Sequence, residues 1–390
     1  MKIAVVCDSF KGSLTSKDAC AAVKDGLLRC NKNFEVLSLP FADGGEGTSR
    51  CFYDILGGQI QKAAVHDPLL RKITAEYPVL PDGTAVIDVA SASGLTLLKS
   101  SERDAVKASS LGSGELIRDA AEHGAKHIIL GLGGSATTDA GTGILYALGM
   151  RFFSEDGVEV LPDGQDMIRV KKIRRTENFE RFKDIKFTLA CDVTNPLCGE
   201  NGAAYVFSPQ KGASKNDVKL LDDGLRNIGE IFEKASGKKI INLPGAGAAG
   251  GIGGGLSAFL NCELQSGFDV LARAASLEDK IRRSDAVITG EGKTDRQTLF
   301  GKLPKRVSDI AEKFGVPCIL LSGDVENDIS AEEIGVCEIH KIKENGISLE
   351  HCMKNAASLL SERAFAIGKD SKIINKQYSR KQEKMRENER

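Results

Sequence analysis

Residues 127–149 read HIILGLGGSATTDAGTGILYALG. The apolar run Ile128, Ile129 and Leu130 is too short for a helix and suits a buried strand. Five glycines follow between Gly131 and Gly143, interleaved with Ser135, Thr137, Thr138 and Asp139. A helical pattern then begins, with Ile144, Leu145 and Leu148 on one face. A strand, a glycine turn and a helix start confine this region to an α/β fold. The glycines let backbone N–H groups crowd close to a ligand, and the helix N-terminus adds a partial positive charge. Such a loop is a cradle for an anion, most often phosphate. A tight turn of closely packed backbone explains the same spacing, and the loop alone leaves both readings open.

The rest of the composition narrows the choice. At 390 residues two domains are expected. Lys plus Arg (53) nearly cancels Asp plus Glu (54), so no global field draws nucleic acid or an acidic membrane. The 42 glycines are the outlier, clustered in a few loops in a way that points to backbone-lined sites. The ten cysteines include no CxxC pair and several sit inside apolar strand patterns, which reads as free, buried thiols in a reducing compartment. MKIAVVCDSFKG turns polar too early for a signal peptide, and no run of eighteen apolar residues could span a membrane. The chain is expected in the cytoplasm.

Residues 2–8 (KIAVVCD) predict a buried strand that delivers Asp8 to its C-terminal end. Residues 15–29 predict an amphipathic helix opened by a Thr15/Asp18 capping box. EVLSLP (35–40) is a second strand, followed by the loop ADGGEGT (42–48). Strand, helix and strand begin a doubly wound parallel sheet. After Gly58 the pattern becomes an antiparallel hairpin or meander through residue 93. A mixed-charge helix is expected near 216–236, then the loop PGAGAAGGIGGGL (244–256), whose glycines suit close helix packing better than phosphate contact. Alternation returns with strands DAVITGEG (285–292), PCILLSGDV (317–325) and EIHKI (338–342) and helices at 304–314 and 350–365. Both chain ends therefore build one sheet domain, 1–62 with 284–368, interrupted by an inserted domain at 63–283. Residues 369–390 are basic and poor in apolar side chains, and a disordered tail is expected.

Strand-terminal loops of an open parallel sheet converge on one edge, where ligands bind. That edge would gather Asp8, Lys11, Asp43, Glu46, Glu291, Lys293 and Asp295, with Ser322 and Asp324 nearby. The insert could add Asp139, Asp192, Asn195, Gln210 and Lys211. So many carboxylates repel unless a cation lies among them, and Mg²⁺ takes one or two carboxylates together with phosphate oxygens. Acids for a metal, lysines for phosphate charge and glycines for close approach suit phosphoryl transfer. Helix caps, turns and solvated lysines are the bland readings of the same residues. GLGGSA also satisfies GxGxxG/A after a strand, so a nicotinamide-dependent 2-hydroxy-acid dehydrogenase remains an alternative, as does a non-catalytic sensor of phosphate ligands. The histidines show no zinc-site spacing, and no GxSxG elbow exists.

Seven motifs occur in a fixed order: DSFKGSL (8–14), ADGGEGT (42–48), GLGGSATTDAG (131–141), CDVTNPLCG (191–199), SPQKGA (208–213), PGAGAAGGIGGG (244–255) and TGEGKTDRQTLFGK (289–302). As a set they resemble the type-1 glycerate kinase family. The resemblance implies a flavodoxin-like domain and an inserted mixed α/β domain of the restriction-endonuclease type, with the site in the cleft between them. It also implies ATP- and Mg²⁺-dependent phosphorylation of D-glycerate, with O2 favoured as the acceptor. A homodimer stays open. On this reading Gly131, Gly133, Gly134, Ser135 and Thr137 hold ATP phosphates, assisted by Glu291 and Lys293. Asp192, Glu291 and Asp295 are the metal candidates. Lys11 and Lys211 serve the transferring group or the acid, Asp8 is a further catalytic candidate, and Asp43 or Asp192 accepts the hydroxyl proton.

Overall fold

The run Ile3, Ala4, Val5, Val6 and Cys7 is almost wholly buried, as a strand covered on both faces must be. It forms the strand Lys2–Cys7, which pairs in parallel with Glu35–Pro40 on one side and Ala286–Thr294 on the other. Cys318–Val325 and then Glu338–Lys341 extend the sheet, again in parallel. In chain order the five strands lie 2-1-3-4-5, the flavodoxin-like doubly wound order. The computed structural model describes residues 1–42, 47–161, 163–344 and 346–379. This sheet belongs to the first of two units, Met1–Asp43 with Leu271–Arg390; the second is Gly44–Val270.

These divisions differ from those expected at 62/63 and 283/284. Position 62 lies inside the strand Gln59–His66, which is paired along its whole length with Lys72–Val79 and so belongs with the second unit. At the other end, Glu278 in the helix Leu277–Arg282 bonds Lys313 at 2.9 Å, tying that helix to the first unit.

In the first unit Thr15 caps the helix Ser16–Cys30 by accepting from the Asp18 amide at 3.1 Å, as the spacing predicts. That helix packs on Ala356–Asp370 so closely that a Cβ on Gly26 would lie 2.1 Å from the Ser361 carbonyl oxygen. The expected closing helix is two helices, Leu349–Lys354 and Ala356–Asp370, broken at Asn355. Residues 372–379, expected to be disordered, are helical. Ile374 is fully buried there, and Tyr378 meets Phe34 edge-on with ring centroids 5.9 Å apart. Ile373, Ile374 and Tyr378 hold a segment whose composition is otherwise polar.

The second unit carries a six-stranded mixed sheet among its described residues. Asn261–Gln265, Lys186–Ala190, His127–Gly131 and Ala85–Asp88 run parallel, and the expected hairpin, Lys72–Val79 with Gln59–His66, completes it antiparallel. The helix Lys215–Ser236 starts at a Ser214/Asp217 capping box. Its Phe232 stacks edge-on against Phe259, centroids 4.9 Å apart, in the centre of the core.

Candidate functional site

The first unit has a cavity of about 650 Å³ at the C-terminal edge of its sheet. Asp8 follows the strand Lys2–Cys7, and Glu291 lies one residue beyond Gly290, the partner of Cys7 in the neighbouring strand. The strand order reverses between these two strands, where ligands of doubly wound sheets bind. Lys11, Lys293, Asp295 and Lys302 also line the space.

Glu291 is only 5% exposed. Its Oε1 accepts from Thr298 Oγ1 at 2.7 Å and lies 2.9 Å from Thr294 Oγ1, which is equally close to Ser322 Oγ. Burial pushes its carboxyl up to about 7, against the two threonine hydroxyls and Lys302, while Asp8 adds to the rise. A buried carboxylate facing a second acid is an electrostatic demand for a cation. Asp295 differs. Burial raises its carboxyl, but the Lys302 ammonium at 3.3 Å and the Gln297 amide outweigh it and hold it below its ordinary value. It caps the short helix Arg296–Leu299. Lys293 is exposed and pairs with Glu326 at 2.7 Å. Asp324 pairs with Lys343 at 2.6 Å on the same cavity wall.

The second unit holds the glycine loop. Gly131 ends its strand against Asp88, whose Oδ1 would lie 2.7 Å from a Cβ at that position. Asp88 in turn accepts from the amide and hydroxyl of Ser49, capping the helix Thr48–Leu56. Lys211 is 2% exposed, and its ammonium donates to Ser135 Oγ at 2.9 Å and to the Thr137 carbonyl at 2.6 Å. Burial lowers this lysine to about 7, with Asp139 acting the other way. Asp139, fully buried, accepts from the Ser110 amide and hydroxyl and from the Gly141 and Gly143 amides. Burial raises its carboxyl, and these bonds oppose the rise.

The expected helix start is therefore not open to a ligand. The helix Thr142–Ala147 has six residues, and the anion at its N-terminus is the protein's own Asp139. Ser110 Oγ accepts the Ile144 amide as well. A dinucleotide fingerprint needs an open helix N-terminus for its pyrophosphate, so the dehydrogenase alternative loses its structural basis. Closeness, by contrast, explains the glycines of 244–256. A Cβ on Gly250 would stand 2.0 Å from the Thr137 carbonyl oxygen, and one on Gly255 would stand 1.9 Å from that of Ala140. The segment backs the glycine loop, and the Ala140 amide donates to the Gly250 carbonyl at 3.0 Å.

A model of the glycerate kinase family matches residues 3–372, nearly the whole chain. The chain belongs to the glycerate kinase family. It is thus a kinase, a phosphotransferase. It is 38% identical to the glycerate kinase of Halalkalibacterium halodurans over 93% of this chain and 96% of that protein. Identity to the glycerate 2-kinase of Escherichia coli K12 is 41% over 84% of this chain and 87% of the relative. A crystal structure from Salmonella typhimurium LT2, described as a candidate glycerate kinase 2, superposes with a TM-score of 0.84 at 35% identity, covering 94% of this chain and 97% of that one.

Within this glycerate kinase fold, the cavity brings together Asp8, Lys11, Glu291, Lys293 and Asp295. The second unit brings Lys211 to Ser135 and Thr137 of the glycine loop. Asp192 is exposed, in the loop that follows Lys186–Ala190. Asp43 and Glu46 lie outside the described residues. No cluster of three or more His, Cys, Asp or Glu side chains suited to a metal exists among the described residues. Mg²⁺ asks for less, one or two carboxylates with water and phosphate oxygens, and the all-oxygen pair Asp8 and Glu291 fits that demand. Sequence reasoning missed Thr298, Ser110, Asp88 and the apolar cavity wall. Of these only Asp88 left a signal, as an acid ending the strand pattern TAVID, like Asp8 after KIAVVC.

Proposed function

We propose that this chain transfers the γ-phosphoryl group of ATP to the 2-hydroxyl of D-glycerate, giving 2-phosphoglycerate and ADP. The glycerate oxygen forms the new bond to phosphorus, the bond from the γ-phosphorus to the β,γ-bridging oxygen breaks, and the hydroxyl proton passes to a carboxylate. The observation that carries this reading is the buried Glu291 beside Asp8, with lysines around them, in a cavity at the sheet's switch point.

Asp8 and Glu291 are the residues to hold Mg²⁺, with Asp295 and Asp192 as further candidates. When bound, the ion neutralises charge on the β- and γ-phosphates. Lys11 and Lys293 meet phosphate or glycerate charge. Gly131, Gly133, Gly134, Ser135 and Thr137 approach the phosphates through backbone and hydroxyl groups. Lys211 acts by holding that loop in shape, since its ammonium is spent on Ser135 and Thr137. Asp43 or Asp192 accepts the proton. That both units serve one reaction, in a cleft between a flavodoxin-like and a restriction-endonuclease-like domain, is part of the proposal and rests on the family resemblance. So does a cytoplasmic location; among the described residues no helix is long and apolar enough to cross a membrane.

The test is ADP release from ATP with D-glycerate, with and without Mg²⁺, followed by phosphorus NMR of the product. A phosphate on O2 is split by one proton and one on O3 by two. A triplet overturns the O2 assignment, and no glycerate-dependent ADP release overturns the activity.

A further inference from the structure

One wall of the cavity in the first unit does not suit a three-carbon acid. Its apolar members, Ile342, Leu349, Cys352, Met353 and Ala356, come from one stretch of chain. Leu349 and Met353 stand one helical turn apart on the helix Leu349–Lys354, and they are 59% and 37% exposed. Exposed apolar side chains are unremarkable singly, but a pair that shares a helix face and lines a cavity marks a binding surface. This wall is anchored to the acidic end of the cavity. Ser13 Oγ donates to the Met353 carbonyl at 2.6 Å, and a Cβ on Gly12, whose φ is +76°, would touch Met353 Cε at 3.0 Å. The loop that carries Asp8 and Lys11 therefore rests on the apolar helix.

Size and chemistry point the same way. At about 650 Å³ the cavity falls in the range of about 300–1,000 Å³ that takes drug-sized ligands. Every carbon of glycerate bears oxygen, so the acid offers no face to Leu349 and Met353 and would leave most of the volume to water. A purine nucleotide has an apolar, flat base at one end and phosphates at the other. The strand ends supply the complementary groups: carboxylates for its metal, and Lys11 and Lys302 for its charge.

We propose that this cavity is the nucleoside subsite: the adenine and ribose of ATP lie against Ile342, Leu349 and Met353, which thereby set nucleotide affinity. The assignment rests on the ATP-dependent reading above. It concerns the base and ribose, and leaves the phosphates to the charged strand ends and the glycine loop.

Leu349→Gln and Met353→Gln test it. Both sites are exposed, so the variants should fold, and thermal melting checks this. Removing one apolar partner of a buried ring should weaken ATP, read as KM and as the Kd of a fluorescent ADP analogue, by about tenfold or more. The KM for D-glycerate should stay within about twofold, since these neutral replacements alter apolar area and add no charge. Hydrogen exchange on the wild-type protein gives a second readout free of mutations. ADP alone should slow exchange in residues 342–356, and D-glycerate alone should not. Raised KM for glycerate with unchanged ATP affinity, or protection of 342–356 by glycerate alone, overturns the subsite while leaving the kinase reading intact. A wild-type protein that binds no adenine nucleotide overturns both.

Discussion

The Lys211 ammonium lies 2.6 Å from the carbonyl oxygen of Thr137, so a lysine of the SPQKGA motif grips the glycine loop from within. Asp139 fastens the far end of the same loop to Ser110. The loop owes its shape to a buried lysine and a buried aspartate. Its glycines permit that shape.

Lys211→Met should leave the Thr137 carbonyl without its donor in a buried place. At the alkaline end, where burial no longer penalises the lysine, the expected cost is about 1–3 kcal/mol of stability, and kcat/KM should fall on the order of 10²-fold, with ATP affinity affected more than glycerate affinity. The pH dependence gives a separate check. Burial sets Lys211 near about 7 in the folded protein against 10.5 in a free side chain. Between those values the unfolded chain binds more protons, so this group makes stability rise with pH, and the penalty is complete below about 7. Melting temperatures of wild type and variant compared from pH 7 to 10 should show the wild type gaining on the variant.

Glu291→Gln should separate stability from activity. Its carboxyl stands near about 7 when folded and 4.5 when free, so between these values the folded protein binds the extra proton and loses stability as pH rises. In chelator at pH 8 the variant should be more stable than wild type, on the order of 1–3 kcal/mol, and the two should converge below pH 4.5. Added Mg²⁺ should raise the melting temperature of wild type only. Turnover of the variant should fall by about 10²-fold.

Gly250→Ala should be severe and Gly237→Ala mild. Both glycines have positive φ, +69° and +73°, but a Cβ on Gly250 would strike the Thr137 carbonyl at 2.0 Å whereas Gly237 has nothing within 4 Å. Denaturant melts should show a loss of about 3 kcal/mol or more for the first and about 1 kcal/mol for the second. Only the first should also lower activity, because the glycine loop must shift.

Thr298→Val should remove one of the donors that hold Glu291 Oε1 while keeping the volume. The pH at which activity reaches half its maximum should move upward relative to wild type, since the hydroxyl favours the ionised form. A profile that does not move would detach Glu291 from the rate.

Much of this fold is written locally. Ile3 to Cys7 could only be a buried strand, Thr15 with Asp18 announces a helix start, and the strand-end acids Asp8 and Glu291 reach one cavity as parallel order requires. What stayed hidden depends on contacts between distant residues. Nothing in SPQKGA tells whether Lys211 faces water or the core; that is decided by Ser135 and Thr137, more than seventy positions earlier. Asp139 looked like one more ligand-facing acid, and only Ser110 shows that it serves as an internal cap. The helix in residues 372–379 escaped because Ile373, Ile374 and Tyr378 are too few to make a period, although Phe34 gives one of them a partner.

The pairing of Lys2–Cys7 with Ala286–Thr294 has a consequence for biosynthesis. The Lys2 amide meets the Asp285 carboxylate across 283 positions, and the helix Ser16–Cys30 waits for Ala356–Asp370. A ribosome therefore releases the opening strand long before its central neighbour exists. Gly44–Val270 is a compact unit and can fold while translation proceeds, whereas the first β-strand must remain unpaired on that side until about three-quarters of the message has been read.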